Sequence, residues 1–184
     1  IQLESAVKQN RRQVAENHKT YLNAGLATML GLLDFDKQFV RAEGIYVWDS
    51  KGARYLDFLG AYGALNTGHN HPKILAALNR VKEMPNLLQA SLGTVVAALA
   101  RNLALITPGN LQRSFICNSG AEAVEGALKV ARFATRRPKF VSAEGAFHGK
   151  TLGALSVSGR DIYKEPFQPL MPEARCQLPV ESSY

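Results

Sequence analysis

The chain contains 184 residues, of which 46% are hydrophobic and 20% are charged, so it is large enough to bury one core of ordinary domain size. Its net charge of +7 does not indicate nucleic-acid binding, because the basic residues are scattered and form no stripe with interleaved aromatic side chains. No apolar run has membrane-spanning length and the N-terminal residues lack the layout of a signal peptide, so we expect a cytoplasmic protein that does not bind membranes.

Residues 3–22 carry a weak helical pattern in which few apolar positions stand among many charges. A helix with so poor an apolar stripe cannot form a core by itself, so we expect a solvated helix or a frayed terminus. Residues 39–59 are strand-like instead. Two apolar runs, 45–48 and 55–59, flank a turn at residues 49–52, and this pattern predicts a β-hairpin.

Residues 60–72 are rich in small side chains and contain His69 and His71. Two histidines at this spacing suggest a metal site, but no cysteine, third histidine or nearby carboxylate pair completes one. We therefore interpret both as loop histidines and predict no metal. Pro72 begins a predicted helix that closes near residue 84, and a second helix is predicted at residues 93–106. Both are interpreted as scaffold.

Residues 114–136 predict a strand, a tight turn and a helix. An apolar run at residues 114–117 precedes Ser119, Gly120 and Ala121, and helical spacing of apolar residues follows. These three residues are small enough to let an anion approach the free N–H groups of the first helical turn, while the Ser119 hydroxyl adds a donor. The same residues also suit an ordinary helix N-cap. The turn is therefore a candidate phosphate site.

A second strand is predicted at residues 139–142. The order of strand, helix and strand predicts parallel strands in one sheet, hence an α/β fold in which an anion site lies at the carboxyl end of a strand. The glycine-punctuated loop at residues 145–156 follows. Taken without further context, its Phe147 would be a core residue.

Several of these segments together resemble class III (subgroup II) aminotransferases, which are pyridoxal-phosphate (PLP) enzymes of fold type I. Residues 117–122, Cys-Asn-Ser-Gly-Ala-Glu, resemble their phosphate-binding turn. Residues 147–151, Phe-His-Gly-Lys-Thr, resemble their Phe-His-Gly-Arg-Thr segment. The hairpin, the Gly-His-x-His-Pro end of the loop at residues 68–72, and the run from Tyr163 to Pro172 also match.

The resemblance implies a partial PLP-dependent transferase fold. Residues 1–70 would form an N-terminal arm and a small-domain hairpin segment, and residues 71–184 the first part of the large, parallel-sheet PLP-binding domain. The arm would lie across a partner subunit, so a homodimer or higher homo-oligomer is implied for the full-length protein. Family members are much longer than this chain, which we therefore expect to be an N-terminal fragment.

The resemblance also assigns roles to residues. Ser119, Gly120 and Ala121 would bind the phosphate of PLP, and Phe147 would pack on the pyridoxal ring with His148 beside it as a further cofactor-binding residue. The lysine that attaches PLP and the aspartate that pairs with its ring nitrogen are expected beyond the last residue of this chain. By itself the fragment should therefore be inactive.

Tyr62 and Lys150 are the residues expected near the substrate. Members of the family that act on α-amino acids have arginine where this chain has Lys150, and that arginine clamps the α-carboxylate with a fork that lysine cannot reproduce. The resemblance is closest to putrescine aminotransferases. It implies transfer of an amino group from a terminal amine or diamine, such as putrescine, to a 2-oxo acid such as 2-oxoglutarate.

Alternatives remain open at this point. An acetylornithine- or ornithine-type aminotransferase, or a PLP aminomutase, would share the phosphate turn. A catalytically silent, truncated chain that only binds phosphate or a partner subunit belongs to a different class of function.

Overall fold

The computed structural model describes residues 2–85 and 91–171, together with the strand Cys176–Leu178. The chain divides into two compact units, Ile1–Leu87 and Leu88–Tyr184. The functional boundary expected between residues 70 and 71 stays a prediction. Within the described ranges, no helix is both long enough and apolar enough to cross a bilayer.

The first unit combines helices with a small antiparallel sheet. Its described elements are α1 Leu3–Ala6, α2 Arg11–Tyr21, α3 Ala24–Leu32, β1 Phe39–Glu43, β2 Tyr46–Asp49, β3 Arg54–Leu56 and α4 Pro72–Val81. The prediction of one continuous helix over residues 3–22 was wrong, because Asn10 begins a new helix. Its side chain accepts a hydrogen bond from the Gln13 N–H, and the Gln13 side chain accepts one from the Asn10 N–H.

The predicted β-hairpin is confirmed as the antiparallel pair of β2 and β3, and β1 adds a third strand on the other side of β2. Two arginine side chains cover aromatic rings across the strands: the Arg41 guanidinium lies 4.4 Å from the centroid of the Trp48 ring, and that of Arg54 lies 4.5 Å from the Tyr46 ring. These cation–π contacts add to the stability of the sheet.

The hairpin turn is organised by the buried carboxylate of Asp49. One of its oxygens accepts hydrogen bonds of 2.9 Å from the N–H groups of Lys51 and Ala53, and the other accepts one of 2.9 Å from the Tyr55 hydroxyl. Burial raises the pKa of this carboxyl, but the three hydrogen bonds outweigh burial and hold the pKa of Asp49 below its ordinary value of 3.8.

This lowered pKa predicts an acid-dependent loss of stability. The ionised Asp49 stabilises the folded state above pH 3.8, and the stabilisation disappears as the pH falls through the lower pKa of the folded protein. We therefore expect wild type to unfold at a higher temperature than Asp49→Asn near pH 7, with the difference vanishing in acid. Thermal unfolding of both proteins between about pH 2.5 and pH 7 measures it. Tyr55→Phe should remove part of the difference, and a difference that persists in acid would contradict the assignment.

The second unit contains longer helices and a short parallel ladder. Its described elements are α5 Thr94–Ile106, α6 Gly120–Thr135, β4 Val141–Ala143, α7 Leu152–Ser156 and β5 Cys176–Leu178. The helices predicted from Pro72, over residues 93–106 and over residues 120–136 are confirmed as α4, α5 and α6. β4 confirms the second predicted strand, and it pairs in parallel with β5.

The strand predicted at residues 114–117 was wrong. Residues 111–117 join no ladder with any residue that the structure describes. A strand exists through hydrogen bonds to a neighbouring strand, and the apolar pattern of this segment does not supply that neighbour. The side chains of Phe115 and Ile116 are correspondingly 76% and 47% exposed. The parallel pairing expected between this segment and residues 139–142 is therefore replaced by the pairing of β4 with β5.

The buried apolar side chains of the described residues lie on and just after α7. Ala154, Leu155 and Val157 are at most 5% exposed, and the adjacent Ser158 is 1% exposed. Residues 154–158, at the end of the glycine-rich loop, thus form the packed centre of this unit.

Candidate functional site

Ser119 begins α6 as its N-cap. Its backbone is extended, with φ −152° and ψ 161°, and its hydroxyl oxygen accepts a hydrogen bond of 3.2 Å from the N–H of Glu122. Because this hydroxyl acts as an acceptor there, its own proton stays available for donation. The N-cap and phosphate-site interpretations of Ser119 are therefore compatible.

The next two residues present unpaired donors. Among the described residues, no acceptor takes the N–H groups of Gly120 and Ala121, which lie in the first turn of the sixteen-residue helix α6. A Cβ atom built at Gly120 would have nothing within 4 Å. Unpaired donors at the positive end of a helix dipole, beside a glycine with open space at its Cβ position, suit a phosphate group. Residues 119–121, which we call the phosphate turn after their expected role, are therefore compatible with a phosphate group, and their binding of the PLP phosphate stays a prediction.

Glu122 closes the turn from the helix side. One of its carboxylate oxygens accepts hydrogen bonds from the backbone N–H of Asn118 at 2.7 Å and from its side-chain amide at 3.1 Å. The carboxylate therefore reaches back past the N-cap and fixes the residue before it. This contact holds the backbone of the phosphate turn in place.

Gly149 allows residues 147–151, the Phe-His-Gly-Lys-Thr segment, to pack against the phosphate turn. A Cβ built on Gly149 would lie 2.7 Å from the Cβ and 3.0 Å from the Cα of Ala121, and 3.1 Å from the Cβ of Ala154. The φ of Gly149 is +130°, a conformation that L side chains rarely adopt. Only a glycine can therefore let this segment approach the first turn of α6 so closely.

The residues around Gly149 differ in exposure. Phe147 is 63% exposed, so much of its surface is available for contact. His148 is half-buried, and its backbone N–H donates a hydrogen bond of 3.1 Å to the hydroxyl of the buried Ser158. Lys150 is exposed, with its Nζ atom 6.0 Å from the centroid of the Tyr163 ring. The structure thus joins residues 147–150 to the phosphate turn, while the cofactor and substrate roles of their side chains stay predictions.

Glu125 is a residue whose partners the sequence analysis did not identify. Its Oε1 atom accepts hydrogen bonds from the Thr151 hydroxyl at 2.6 Å and from the N–H groups of Gly153 at 2.9 Å and Ala154 at 3.2 Å. Thr151 makes no cap of its own for α7. The sequence contained one indication of this arrangement. The third residue of α7 is Ala154, whereas a local capping box needs Glu or Gln there, so the start of α7 requires an acceptor from elsewhere in the chain.

The hydrogen bond from Thr151 lowers the pKa of Glu125 most, and those from Ala154 and Gly153 add to it against the opposing effect of partial burial. Glu125 is therefore ionised at neutral pH. Its negative charge faces the N-terminus of α7, where the helix carries its positive end.

Tyr62, the other expected substrate residue, belongs to the first unit. It is 91% exposed and lies in a tight turn, Gly60–Gly63, with a φ of 57°. Asp57 fixes both ends of the loop around it. One carboxylate oxygen accepts from the N–H groups of Leu59 at 3.0 Å and Gly60 at 2.9 Å, and the other lies 2.8 Å from Nε2 of His69. The substrate role of Tyr62 stays a prediction.

Known proteins share this fold. A profile of the family described as "Aminotransferase class-III" matches residues 34–183. The taurine:2-oxoglutarate aminotransferase from Bifidobacterium kashiwanohense, solved in complex with PLP and glutamate, is 27% identical, with a TM-score of 0.77 over 94% of this chain and 38% of its own. An (S)-enantioselective omega-transaminase from Thermomicrobium roseum is 29% identical, with a TM-score of 0.79 over 92% of this chain and 40% of its own.

The ornithine aminotransferase from Toxoplasma gondii is 25% identical, with a TM-score of 0.78 over 97% of this chain and 42% of its own. The chain thus spans about two fifths of the length of these solved transaminases. The expectation of a partial α/β fold of the PLP-dependent transferases is confirmed. Because the family profile covers most of the chain and the fold agrees with it, the chain belongs to the class-III aminotransferase family.

Proposed function

We propose that this chain is the N-terminal part of a PLP-dependent aminotransferase and supplies the phosphate turn and one wall of the cofactor site. Membership of the class-III family supports the proposal. Large apolar side chains on α6, such as Val130 at 67% and Phe133 at 71% exposure, add support, since a folded protein covers such surfaces with other parts of its structure. A cytoplasmic location and a homodimer remain predictions.

One structural observation gives the proposal its strongest support. Gly149 lies against Ala121, so the two segments that resemble the cofactor site of the family are in direct contact although they are far apart in sequence. An ordinary helix N-cap needs no such contact, because Ser119 alone caps α6.

In this proposal, the residues of the phosphate turn and Phe147 contact different parts of PLP. The N–H groups of Gly120 and Ala121 and the Ser119 hydroxyl would hold the phosphate, and the exposed ring of Phe147 would pack against the ring of PLP and keep water from that face. PLP, when bound, draws electrons from the substrate carbon that carries the amine and so eases removal of its proton. The lysine and aspartate expected beyond residue 184 would complete the site.

We propose a terminal amine or diamine of the putrescine type as the amino donor. Lys150 supports this assignment, because a single ammonium group cannot grip a carboxylate as the arginine fork does. For the acceptor we propose 2-oxoglutarate. The similarity to a taurine:2-oxoglutarate aminotransferase supports it.

The activity is tested in the full-length protein by incubation with PLP, putrescine and 2-oxoglutarate, with glutamate formation as the readout. We expect turnover well above that of free PLP. Absence of glutamate formation with putrescine would contradict the donor assignment, and absence with ornithine, acetylornithine and taurine as well would favour a catalytically silent protein. An acetylornithine- or ornithine-type enzyme would be recognised by activity with acetylornithine or ornithine alone.

The substrate assignment predicts the effect of Lys150→Arg. Restoring the fork should raise kcat/KM for ornithine relative to putrescine by roughly tenfold, which corresponds to about 1.4 kcal/mol of transition-state binding. Steady-state kinetics of the full-length enzyme with both donors measure the ratio. Lys129→Arg, an exposed exchange of the same type on α6, should leave the ratio unchanged. A wild-type enzyme that already prefers acetylornithine would contradict the assignment.

A further inference from the structure

We propose that Glu125 is a positioning residue for the aminotransferase reaction, which holds residues 147–154 in register with the phosphate turn. The inference rests on the proposed function and adds to it a residue whose carboxylate bonds to the start of α7 and, among the described residues, not to the phosphate turn or to Phe147. Three geometric observations and one electrostatic observation support this role of Glu125.

The first observation is the number of hydrogen bonds that one oxygen of Glu125 accepts. Oε1 of Glu125 accepts from Thr151, Gly153 and Ala154, which lie 26 to 29 residues further along the chain. These three donors are the N-cap hydroxyl and the second and third N–H groups of α7. A carboxylate on α6 thus performs the capping that a local side chain performs in most helices.

The second is the placement of Glu125 on α6. Ala121 and Glu125 are four residues apart and therefore lie on the same face of the helix. Gly149 packs on Ala121, while Gly153 packs on Glu125 so closely that any side chain at Gly153 would overlap the carboxylate. One face of α6 therefore holds both ends of the segment from Gly149 to Gly153.

The third is the connection from α7 back to the cofactor side. The Ser158 hydroxyl donates a hydrogen bond of 3.0 Å to the carbonyl of Ala154 and accepts one of 3.1 Å from the N–H of His148. Ser158 is 1% exposed, so these bonds are shielded from water. A displacement of the start of α7 would therefore be transmitted to His148 and to the neighbouring Phe147.

The fourth is the charge. Glu125 is negative and caps the positive end of α7, so removal of the side chain leaves the part-buried N–H groups of Gly153 and Ala154 without their acceptor, while the exposed Thr151 hydroxyl can turn to water. The N–H groups of Gly120 and Ala121 are not among these donors. Loss of Glu125 should therefore spare phosphate binding and disturb the orientation of the ring of PLP.

The experiment uses the full-length holoenzyme and compares Glu125→Ala with Glu125→Gln and with Glu144→Ala, an exposed control on the same unit. Three readouts are needed: PLP affinity, the circular dichroism of bound PLP, which reports its orientation, and kcat. For Glu125→Ala we expect PLP affinity within about threefold of wild type, a changed dichroic band and a fall in kcat of about tenfold or more. Glu125→Gln should recover most of kcat, because its amide oxygen can accept the same three hydrogen bonds.

Thr151→Val provides a second test if Glu125→Ala does not fold. It removes only the 2.6 Å bond and should produce a smaller change in the same direction in both kcat and dichroism. Wild-type kcat and dichroism in whichever of these two variants folds would overturn the inference, even if thermal stability fell. A Glu125→Gln enzyme as impaired as Glu125→Ala would overturn it too. A wild-type enzyme that neither binds PLP nor transaminates would instead refute the proposed function.

Discussion

Replacement of Gly149 by alanine is expected to lower the free energy of unfolding of the full-length protein by about 2–5 kcal/mol and to weaken PLP binding by more than tenfold. Two effects combine. The φ of +130° strains any residue with a Cβ, and the new methyl group would lie 2.7 Å from the Cβ of Ala121 and 3.1 Å from that of Ala154. These neighbours cannot rotate away, so either α6 or the glycine-rich segment must move.

A shift of α6 displaces Ala121 in the phosphate turn, and a shift of the glycine-rich segment displaces Phe147 and His148, so either movement should weaken PLP binding. Chemical denaturation and PLP titration measure the two losses separately. Gly109→Ala is a useful control, since Gly109 has a φ of +71° but nothing within 4 Å of a Cβ built there. It should lower the free energy of unfolding by only about 1 kcal/mol and leave PLP affinity unchanged. Equal effects of the two substitutions would contradict the close contact of Gly149 with α6.

Gly120→Asp is expected to weaken PLP binding by at least about tenfold, or 1.4 kcal/mol, without destabilising the fold. The new side chain would enter open space beside the unpaired N–H groups, where its negative charge would repel the phosphate and compete for its donors. At the start of a helix an aspartate is favourable for folding, because its charge complements the helix dipole. Binding and stability should therefore respond in opposite senses.

Fluorescence titration with PLP and thermal unfolding of the same full-length protein would resolve the two responses. Gly120→Asn has nearly the same size without the charge and should retain more of the affinity than Gly120→Asp. Gly120→Ala adds only a methyl group, in space that the fold leaves open, and should bind PLP nearly as wild type does. Unchanged PLP affinity in Gly120→Asp would rule out phosphate binding at this turn.

Local sequence was sufficient for the elements whose cause is local. Apolar spacing and Pro72 predicted α4, apolar spacing predicted α5 and α6, and the turn residues around Asp49 predicted the hairpin of β2 and β3. Each of these elements satisfies its own backbone hydrogen bonds within a short stretch of chain, so its pattern is readable there. The family resemblance and the small residues of the phosphate turn could be recognised in the same way.

Partners that lie far away in sequence could not be read from local patterns. Residues 114–117 have the composition of a strand but join no ladder among the described residues, and β4 pairs with the distant β5. The carboxylate of Glu125 on α6 bonds to the start of α7, 26 to 29 residues further along the chain. The sequence showed Gly149 only as part of a motif. Its contact with Ala121 explains why a glycine is needed there.

The difference is physical. The formation of a helix or hairpin depends on backbone geometry and on residues within a short stretch of chain. Those residues can be identified directly from the amino-acid sequence. The approach of residues 147–154 to the first turns of α6 depends on which surfaces exclude water together and which buried donors find an acceptor, and that is decided only when the chain is packed. The sequence by itself therefore determined the separate motifs of this class-III aminotransferase chain, and the tertiary structure decided that Gly149 and Glu125 join them.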